Sequence, residues 1–167
     1  CEDVLLKKRE PGFVPVILRP ATVCGFSPRL RLDLIVNILT NHAVINNEIR
    51  VFGGNQLRPN IHIEDVTDLY VQSLEWPEHR IDGNIFNAGY DNQTVAEIAE
   101  MVRRQVGDSV GVVTTPTDDN RSYHISSQKI RDELGFGPKH TIREAVENLC
   151  DAFKKGLLPD SLGNEKY

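Results

Sequence analysis

A continuous apolar run, Val-Pro-Val-Ile-Leu at residues 14–18, constrains the fold more than any other feature of this sequence. It is bounded by Gly12 and Pro20, and it follows residues 1–10, whose pattern is that of a helix ending in a basic cluster. An unbroken apolar run of this length is typical of a strand buried on both faces in a parallel sheet. Because parallel strands require crossover connections, usually helices, the sequence predicts a layered α/β fold.

The rest of the chain alternates between helical and extended patterns. Beyond the first two segments, helices are predicted at residues 30–44 and 64–76, and strands at residues 49–52, 60–63, 85–88 and 110–114. The inner face of the second of these helices is predicted to consist of Val66, Leu69, Tyr70, Ser73 and Leu74. Two capping boxes, Thr94-x-x-Glu97 and Thr141-x-x-Glu144, predict further helices, and a short helix is expected from Ser127 until Gly135 ends it.

Composition restricts the class of protein and its partners. With 19 Lys and Arg against 24 Asp and Glu, the net charge of −5 excludes a basic nucleic-acid-binding module. No apolar run approaches the ~20 residues that span a bilayer, and three separated cysteines form no metal or redox motif. We therefore predict a cytoplasmic protein without membrane or nucleic-acid partners. The chain opens on Cys1 within a helical pattern and its sole Met is Met101, so we expect a piece of a longer protein.

Familiar catalytic and metal-binding motifs are absent from these residues. The sequence contains no G-x-G-x-x-G, no Walker A motif, no H-E-x-x-H and no G-x-S-x-G. Its five histidines show no ligand-like spacing among themselves or with the cysteines, so no metal site is predicted. The residues alone therefore do not reveal a self-sufficient catalytic centre.

Two arginines lie where α/β proteins bind ligands. Arg58 follows one predicted strand and precedes another, and Arg121 lies in a loop before a helix. A guanidinium group matches phosphate with two parallel charged hydrogen bonds. The alternative is a surface ion pair with Glu64 or Asp119.

Four further residues permit either a functional or a structural interpretation. His62 and Asp65 could form a catalytic pair, or His62 could be a core histidine while Asp65 caps the next helix. Cys24 could be a nucleophile after the first strand, or a small buried filler. Asn37 could bind a polar ligand from its helix, or face solvent.

Several segments together resemble the extended short-chain dehydrogenases that act on nucleotide sugars. Residues 18–25, LRPATVCG, resemble the family's L-R-x-x-N-V-Y-G segment, and residues 27–37, SPRLRLDLIVN, resemble its substrate-domain helix. Residues 51–66 are similar to its V-F-G-x-x-x-x-R-x-x-I-H-V-x-D-V signature. Three later segments follow the family's order: Asn-Ala-Gly at 87–89, residues 121–138, and Thr-Ile-x-Glu at 141–144.

The resemblance implies an NAD- or NADP-dependent epimerase or dehydratase that acts on a UDP-, dTDP- or GDP-sugar by transient oxidation at the sugar C4. It implies the last strands of a Rossmann-type doubly wound sheet plus a smaller mixed α/β substrate-binding domain. Residues 1–29 would end the catalytic helix and add a cofactor-domain strand, and residues 30–63 would begin the substrate domain. Residues 64–90 would return to the cofactor domain, and residues 91–167 would complete the substrate side.

Site residues carry over by position. Arg58 and Arg121 would hold the nucleotide diphosphate, and the backbone of Pro20 and Ala21 would pass beside the nicotinamide. The remaining substrate-binding positions would be Asp33, Leu34, Asn37 and Thr22. Thr22 stands where many members have Asn, and Cys24 where they have Tyr or Phe, so the sugar contacts differ from the family pattern.

The family's catalytic Y-x-x-x-K pair is also absent, and the resemblance places it before Cys1. We therefore expect no catalytic residue in this chain, an inactive isolated chain and an active, homodimeric parent protein. The alternatives are a non-catalytic nucleotide-sugar-binding or regulatory protein on the same fold, and a self-standing anion-binding domain.

Overall fold

The structure is a computed structural model that describes residues 1–118 and 121–163, and seven strands and seven helices lie in that part of the chain. The strands are β1 (Ile17–Pro20), β2 (Thr22–Cys24), β3 (Glu48–Phe52), β4 (Leu57–His62), β5 (Ile85–Ala88), β6 (Asp91–Thr94) and β7 (Gly111–Thr115). The helices are α1 (Glu2–Leu6), α2 (Ile35–Asn46), α3 (Ile63–Ser73), α4 (Glu78–Ile81), α5 (Val95–Val106), α6 (Gln128–Leu134) and α7 (Ile142–Lys154). The predicted α/β fold class is confirmed.

The apolar run at residues 14–18 leads into β1, which pairs in parallel with β5. The strand begins at Ile17 rather than Val14. The prediction that it is buried on both faces is wrong, because only Ile17 of its four residues is buried. Arg19 is exposed, and its guanidinium group pairs with Glu2 on α1, with Nε 2.8 Å from the carboxylate. At the end of the strand the Ala21 N–H donates to the carbonyl of Ala88 at 2.7 Å, which extends the pairing by one residue.

The chain passes almost directly from this sheet into a second one. Ala21 alone separates β1 from β2, and two residues separate β5 from β6. In the second sheet β4 lies between β2, which is parallel to it, and β6, which is antiparallel. A third sheet consists of the parallel pair β3 and β7. Successive strand ends are thereby placed beside one another, which positions the side chains that follow them.

Local sequence signals set most helix boundaries. Both predicted capping boxes are present: the Thr94 and Thr141 hydroxyls accept the N–H of Glu97 and Glu144, and each glutamate reaches back to its threonine N–H. Gly135 ends α6 with φ of 72°, in the left-handed region where glycine carries little cost. The first long helix, α2, starts at Ile35 instead of residue 30 because the preceding leucines pack against α7 rather than continuing the helix.

The inner face of α3 is narrower than predicted. Val66 and Leu69 are buried, but Tyr70 is 51% exposed and Leu74 is 87% exposed, so the inward orientation predicted for those two is wrong. Leu74 follows the last helical residue, Ser73, and lies beyond the packed part of the helix. None of the helices in the described residues is long and apolar enough to cross a bilayer.

Two main clusters of buried side chains hold the layers together. One lies between α2, α5, α7 and β3, with the members Cys24, Val36, Leu39, Ala43, Ile49, Val51, Val95, Ile98, Ala99, Val102, Val110, Ile142, Ala145, Val146 and Cys150. The other surrounds β1, β5 and α3, with the members Ala21, Ile61, Val66, Leu69, Ile81, Phe86, Ala88, Ile130 and Phe136. β4 carries Ile61 into the second cluster and contacts α7 on its other side, so it lies between the two clusters.

Candidate functional site

Arg58 and Arg121, predicted to act together, lie side by side. Nη1 of Arg58 donates to the backbone carbonyl of Arg121 at 2.6 Å and to the carbonyl of Leu57 at 3.0 Å. The Arg58 guanidinium also lies 5.4 Å from the centroid of the Tyr123 ring, a cation–π distance. These contacts fix the direction of the Arg58 side chain near the start of β4, the central strand of the second sheet.

The segment after β7 brings Arg121 to this position. The N–H of Leu57 donates to the hydroxyl of Ser122 at 2.9 Å, and the N–H of Tyr123 donates to the carbonyl of Leu57 at 3.1 Å. Further along, Nδ2 of Asn92 donates to the carbonyl of Ile125 and its Oδ1 accepts the Ile125 N–H, both at 2.9 Å. The segment therefore runs along β4 and β6 like an additional strand.

The surface ion pair offered as the alternative for Arg58 does not form with Glu64. Glu64 instead lies 3.2 Å from Nε2 of His140, and no carboxylate within the described residues forms an ion pair with Arg58. Asp119, the other predicted partner, lies outside those residues. The Arg58 guanidinium thus lies beside the Arg121 backbone, and its positive charge favours an anion there.

A cavity of about 290 Å³ opens beside Arg58, between α2 and β3. Its walls are mostly apolar, and its polar groups are two arginines, a histidine, a glutamine and a threonine. The lining residues are Ile35, Ile38, Leu39, His42, Arg50, Phe52, Gln56, Arg58, Val95 and Thr117. An apolar concave site with a few placed polar groups is the usual form of a small-molecule site.

Among the lining residues that were not predicted as site residues are His42, Arg50 and Phe52. Their pattern was available, since Arg50 and Phe52 are exposed on β3 while Ile49 and Val51 are buried. On α2, residues 35, 38 and 42 follow helical spacing on one face. What the sequence does not contain is the pairing of that helix face with that strand face.

The other predicted substrate residues lie in two places. Thr22 pairs in register with Asn60 on β4, two residues from Arg58. Leu34 immediately precedes Ile35 of the cavity wall and is the N-terminal cap residue of α2. Asp33 is exposed, and its carboxylate forms an ion pair with Arg31 at 2.6 Å. Their contribution to substrate binding stays a prediction.

Asn37 is buried, so the alternative of a solvent-facing asparagine is wrong. Its Oδ1 accepts the N–H of Gly25 at 3.1 Å, and its Nδ2 donates to the carbonyl of Arg31 at 2.9 Å. Gly25 has φ of 103°, and a Cβ there would lie 3.3 Å from a methyl carbon of Ile63. The asparagine therefore ties the end of β2 to the turn before α2 in this structure.

His62 is a core histidine, as one of the two interpretations held. It is fully buried, its Nδ1 accepts the N–H of Glu64 at 3.1 Å, and its Nε2 lies 3.1 Å from the Asn148 amide. His62 therefore caps α3, and the prediction that Asp65 does so is wrong. Since the helix begins at Ile63, the Asp65 carboxylate lies in the first turn, where it accepts the backbone N–H groups of Lys139 and His140.

The imidazoles of His62 and His140 stack with their centroids 4.9 Å apart. A hydrogen bond to Asp65, at 3.0 Å from Nδ1, raises the pKa of His140, and the nearby charges of Glu64 and Glu144 add to that shift. Burial lowers the pKa of His62, and the neighbouring His140 lowers it further. Of the two rings, His140 is the one that carries a proton more readily.

His62, Glu64 and His140 place nitrogen and oxygen atoms within 4.8 Å of one another, a grouping that the sequence spacing did not predict. Metal binding requires a free lone pair on each imidazole. In His62 the Nδ1 lone pair accepts the N–H of Glu64, which leaves the proton on Nε2 in the neutral ring. The arrangement therefore fits a hydrogen-bonded helix cap better than a metal centre.

Cys24 is 1% exposed, and its thiol lies 3.4 Å from the carbonyl of Ile61. Burial raises the pKa of this thiol to about 12, so it stays protonated at neutral pH. Its environment is that of the buried filler.

Comparison with known proteins decides the family. Residues 3–89 match the profile of the NAD dependent epimerase/dehydratase family, which is more than half of the chain. The chain belongs to this family. UDP-glucose 4-epimerase of Corynebacterium glutamicum is 31% identical over 131 residues, which cover 70% of this chain and 38% of that protein. UDP-glucuronic acid decarboxylase 1 of Arabidopsis thaliana is 24% identical over 143 residues, 83% of this chain and 32% of that protein.

Solved structures agree with the family. The UDP-glucose 4-epimerase of Thermotoga maritima, crystallised with UDP-glucose, superposes with a TM-score of 0.77 at 26% identity over 93% of this chain and 51% of that one. The chain is therefore part of a Rossmann-type epimerase fold, and it spans about half or less of the length of the relatives that it matches.

These residues offer few groups that could bind the family's NAD cofactor. Pro20 has no N–H, and the N–H of Ala21 is already bonded to Ala88. The sequence has no glycine-rich phosphate turn. By themselves, the residues present therefore do not make a dinucleotide site, although the Pro20 and Ala21 backbone stays the predicted wall of one.

Proposed function

We propose that this chain supplies the nucleotide-sugar site of an NAD- or NADP-dependent epimerase or dehydratase. The substrate class is a UDP-, dTDP- or GDP-sugar, transiently oxidised at C4. The observation that carries the proposal is the contact of Arg58 with the Arg121 backbone beside a largely apolar cavity of about 290 Å³, to which we assign the base and ribose. The relatives named for UDP-sugars support this substrate class.

The diphosphate is assigned to the two arginines. Nη1 of Arg58 is occupied by backbone carbonyls, and that bond holds the planar guanidinium in one orientation. A fixed guanidinium loses less conformational entropy on binding, which favours bidentate recognition of phosphate. Arg121 follows on the neighbouring segment, so each phosphate can have its own arginine.

Binding of nucleotides to the chain tests this site. Isothermal titration calorimetry with UDP, dTDP and GDP should show binding of at least one, and Arg58→Ala or Arg121→Ala should weaken it about tenfold, since a charged hydrogen bond contributes roughly 1.5–3 kcal/mol. Arg131→Ala, an exposed arginine on α6, is the matched control and should bind like the wild type. Absence of binding to all three nucleotides would overturn the proposal.

We assign no catalytic residue to this chain. It contains neither Y-x-x-x-K nor G-x-G-x-x-G, so the 167-residue chain alone is expected to produce no NAD reduction and no sugar turnover. Turnover by the isolated chain would contradict this assignment. The second candidate is a non-catalytic nucleotide-sugar-binding or regulatory protein on this fold. Activity of the natural protein that contains these residues, measured with UDP-, dTDP- and GDP-sugars, distinguishes enzyme from binder.

We further propose a cytoplasmic protein that forms a homodimer through the surface around α1. Val4 is 65% exposed and Phe13 is 43% exposed on this surface, and they line an open apolar hollow with Leu5, Val16 and Leu18. Size-exclusion chromatography with light scattering on the natural protein tests the dimer. Val4→Glu should shift it to monomer, and an unchanged dimer would contradict this surface.

A further inference from the structure

The cavity beside Arg58 continues into a polar groove formed by His42, Asn46, Glu48 and Arg50. This groove has a volume of about 370 Å³ and shares His42 and Arg50 with the cavity. The adjoining cavity and groove together form a path that has Arg58 on its cavity side and Glu48 on its groove side.

One face of β3 forms the floor of this path. Glu48, Arg50 and Phe52 alternate with the buried Ile49 and Val51, so the first three side chains share a face. At a rise of about 3.3 Å per residue, the Cα atoms of Glu48 and Phe52 lie ~13 Å apart. The path thus changes from apolar at Phe52 to charged at Glu48 along a single strand.

The charged end offers a donor and an acceptor side by side. Nε of Arg50 donates to Oε1 of Glu48 at 2.8 Å, which aligns the two side chains. Among the described residues, the Arg50 Nη groups and the second Glu48 oxygen have no other hydrogen-bond partner. Both side chains are accessible, with Arg50 66% and Glu48 40% exposed.

We propose that Arg50 and Glu48 read the base of the bound nucleotide and select guanine, so that the substrate is a GDP-sugar. This inference rests on the proposed function, which places the diphosphate at Arg58. The base then lies over Phe52 and Ile38 with its edge toward Arg50 and Glu48. The O6 of guanine accepts from the Arg50 guanidinium, and its N1–H and N2–H groups donate to the Glu48 carboxylate.

The other bases match this pair less well. Uracil and thymine present one N–H between two carbonyls, so one carbonyl oxygen would face the carboxylate of Glu48. Adenine and cytosine place a ring-nitrogen acceptor where guanine carries N1–H, which leaves the carboxylate with one donor fewer. Because mismatched polar groups lose their hydrogen bonds to water without replacement, Arg50 and Glu48 discriminate against uracil, thymine, adenine and cytosine.

Calorimetry with GDP, UDP, dTDP and ADP on the 167-residue chain tests the inference. We expect GDP to bind about tenfold more tightly than UDP. Glu48→Gln should remove that preference by weakening GDP alone, and the matched control Glu75→Gln, an exposed residue beyond α3, should retain it. Circular dichroism verifies that each variant is folded.

The outcomes separate the base assignment from the proposed function. If UDP or dTDP binds as tightly as GDP, and Arg58→Ala still weakens binding, guanine selection is refuted and the nucleotide-sugar site stands. If Glu48→Gln leaves the GDP preference intact, the assignment of Glu48 is refuted. If no nucleotide binds the folded chain, both the site and the base assignment fail.

Discussion

Nη1 of Arg58 donates a 2.6 Å hydrogen bond to the backbone carbonyl of Arg121, 63 residues away in the sequence. This bond connects the central strand of the second sheet to the segment that follows β7. On the same segment, the Ser122 hydroxyl and the Tyr123 N–H also bond the backbone of Leu57, the residue before Arg58. The Arg58 guanidinium and the backbone of Arg121 are therefore held together by hydrogen bonds in this structure.

Asn37→Ala is expected to destabilise the fold. The substitution leaves the buried N–H of Gly25 and the carbonyl of Arg31 without their partner, which costs about 2 kcal/mol or more. Urea unfolding followed by circular dichroism measures this cost. Asn46→Ala, at the exposed end of the same helix, is the control and should change the free energy of unfolding by less than about 0.5 kcal/mol. Equal effects of the two variants would show that the Asn37 bonds contribute no stability.

The contact of His140 with Asp65 predicts a pH-dependent stability. The pKa of His140 is raised in the folded state. The contact therefore adds its full amount to the free energy of unfolding below the unfolded-state pKa of 6.5, and this stabilisation is lost as the pH rises through the folded-state pKa. His140→Asn keeps a neutral donor and removes the titration. The difference in unfolding free energy between wild type and variant should thus be largest near pH 5 and shrink toward pH 8.

The lowered pKa of His62 acts in the opposite direction, because protonation of this buried ring opposes folding at acid pH. Both proteins retain His62, so the part of its pKa shift that burial causes cancels in the comparison, whereas the part that His140 causes is absent from the variant. A difference that grows with rising pH would contradict the assigned direction for His140.

Thiol labelling distinguishes the three cysteines. Cys1 is exposed, whereas Cys24 and Cys150 are buried and their thiol pKa values are raised by burial. We expect Ellman's reagent to modify one thiol rapidly in the folded chain at pH 8 and all three in denaturant. Peptide mapping identifies the modified residue. Rapid modification of Cys24 in the native chain would contradict the buried-filler interpretation and favour the nucleophile interpretation.

Local signals in the sequence predicted much of the fold. Thr94 with Glu97, and Thr141 with Glu144, mark helix starts because each cap satisfies backbone groups within four residues. Gly135 marks a helix end for a comparably local reason, its φ of 72°. β6 escaped prediction because residues 91–94, Asp-Asn-Gln-Thr, are polar throughout and pair only through the backbone of β4.

Other features depended on distant parts of the chain. The exposure of Tyr70 and Leu74 follows from how little of α3 is covered, which its periodicity does not encode. The choice of His62 over Asp65 as the cap depends on where β4 ends. The family resemblance predicted Arg58 and Arg121 as a pair, but their contact and the cavity between α2 and β3 required the three-dimensional fold.

The affinity difference between a nucleoside diphosphate and its nucleoside tests the central assignment most directly. We predict that the wild-type chain binds GDP or UDP at least about tenfold more tightly than guanosine or uridine. In the folded Arg58→Ala, Arg121→Ala double variant this ratio should fall close to one, because the lost contacts are those to phosphate. A ratio that stays unchanged in the double variant would contradict the assignment of the diphosphate to these two arginines.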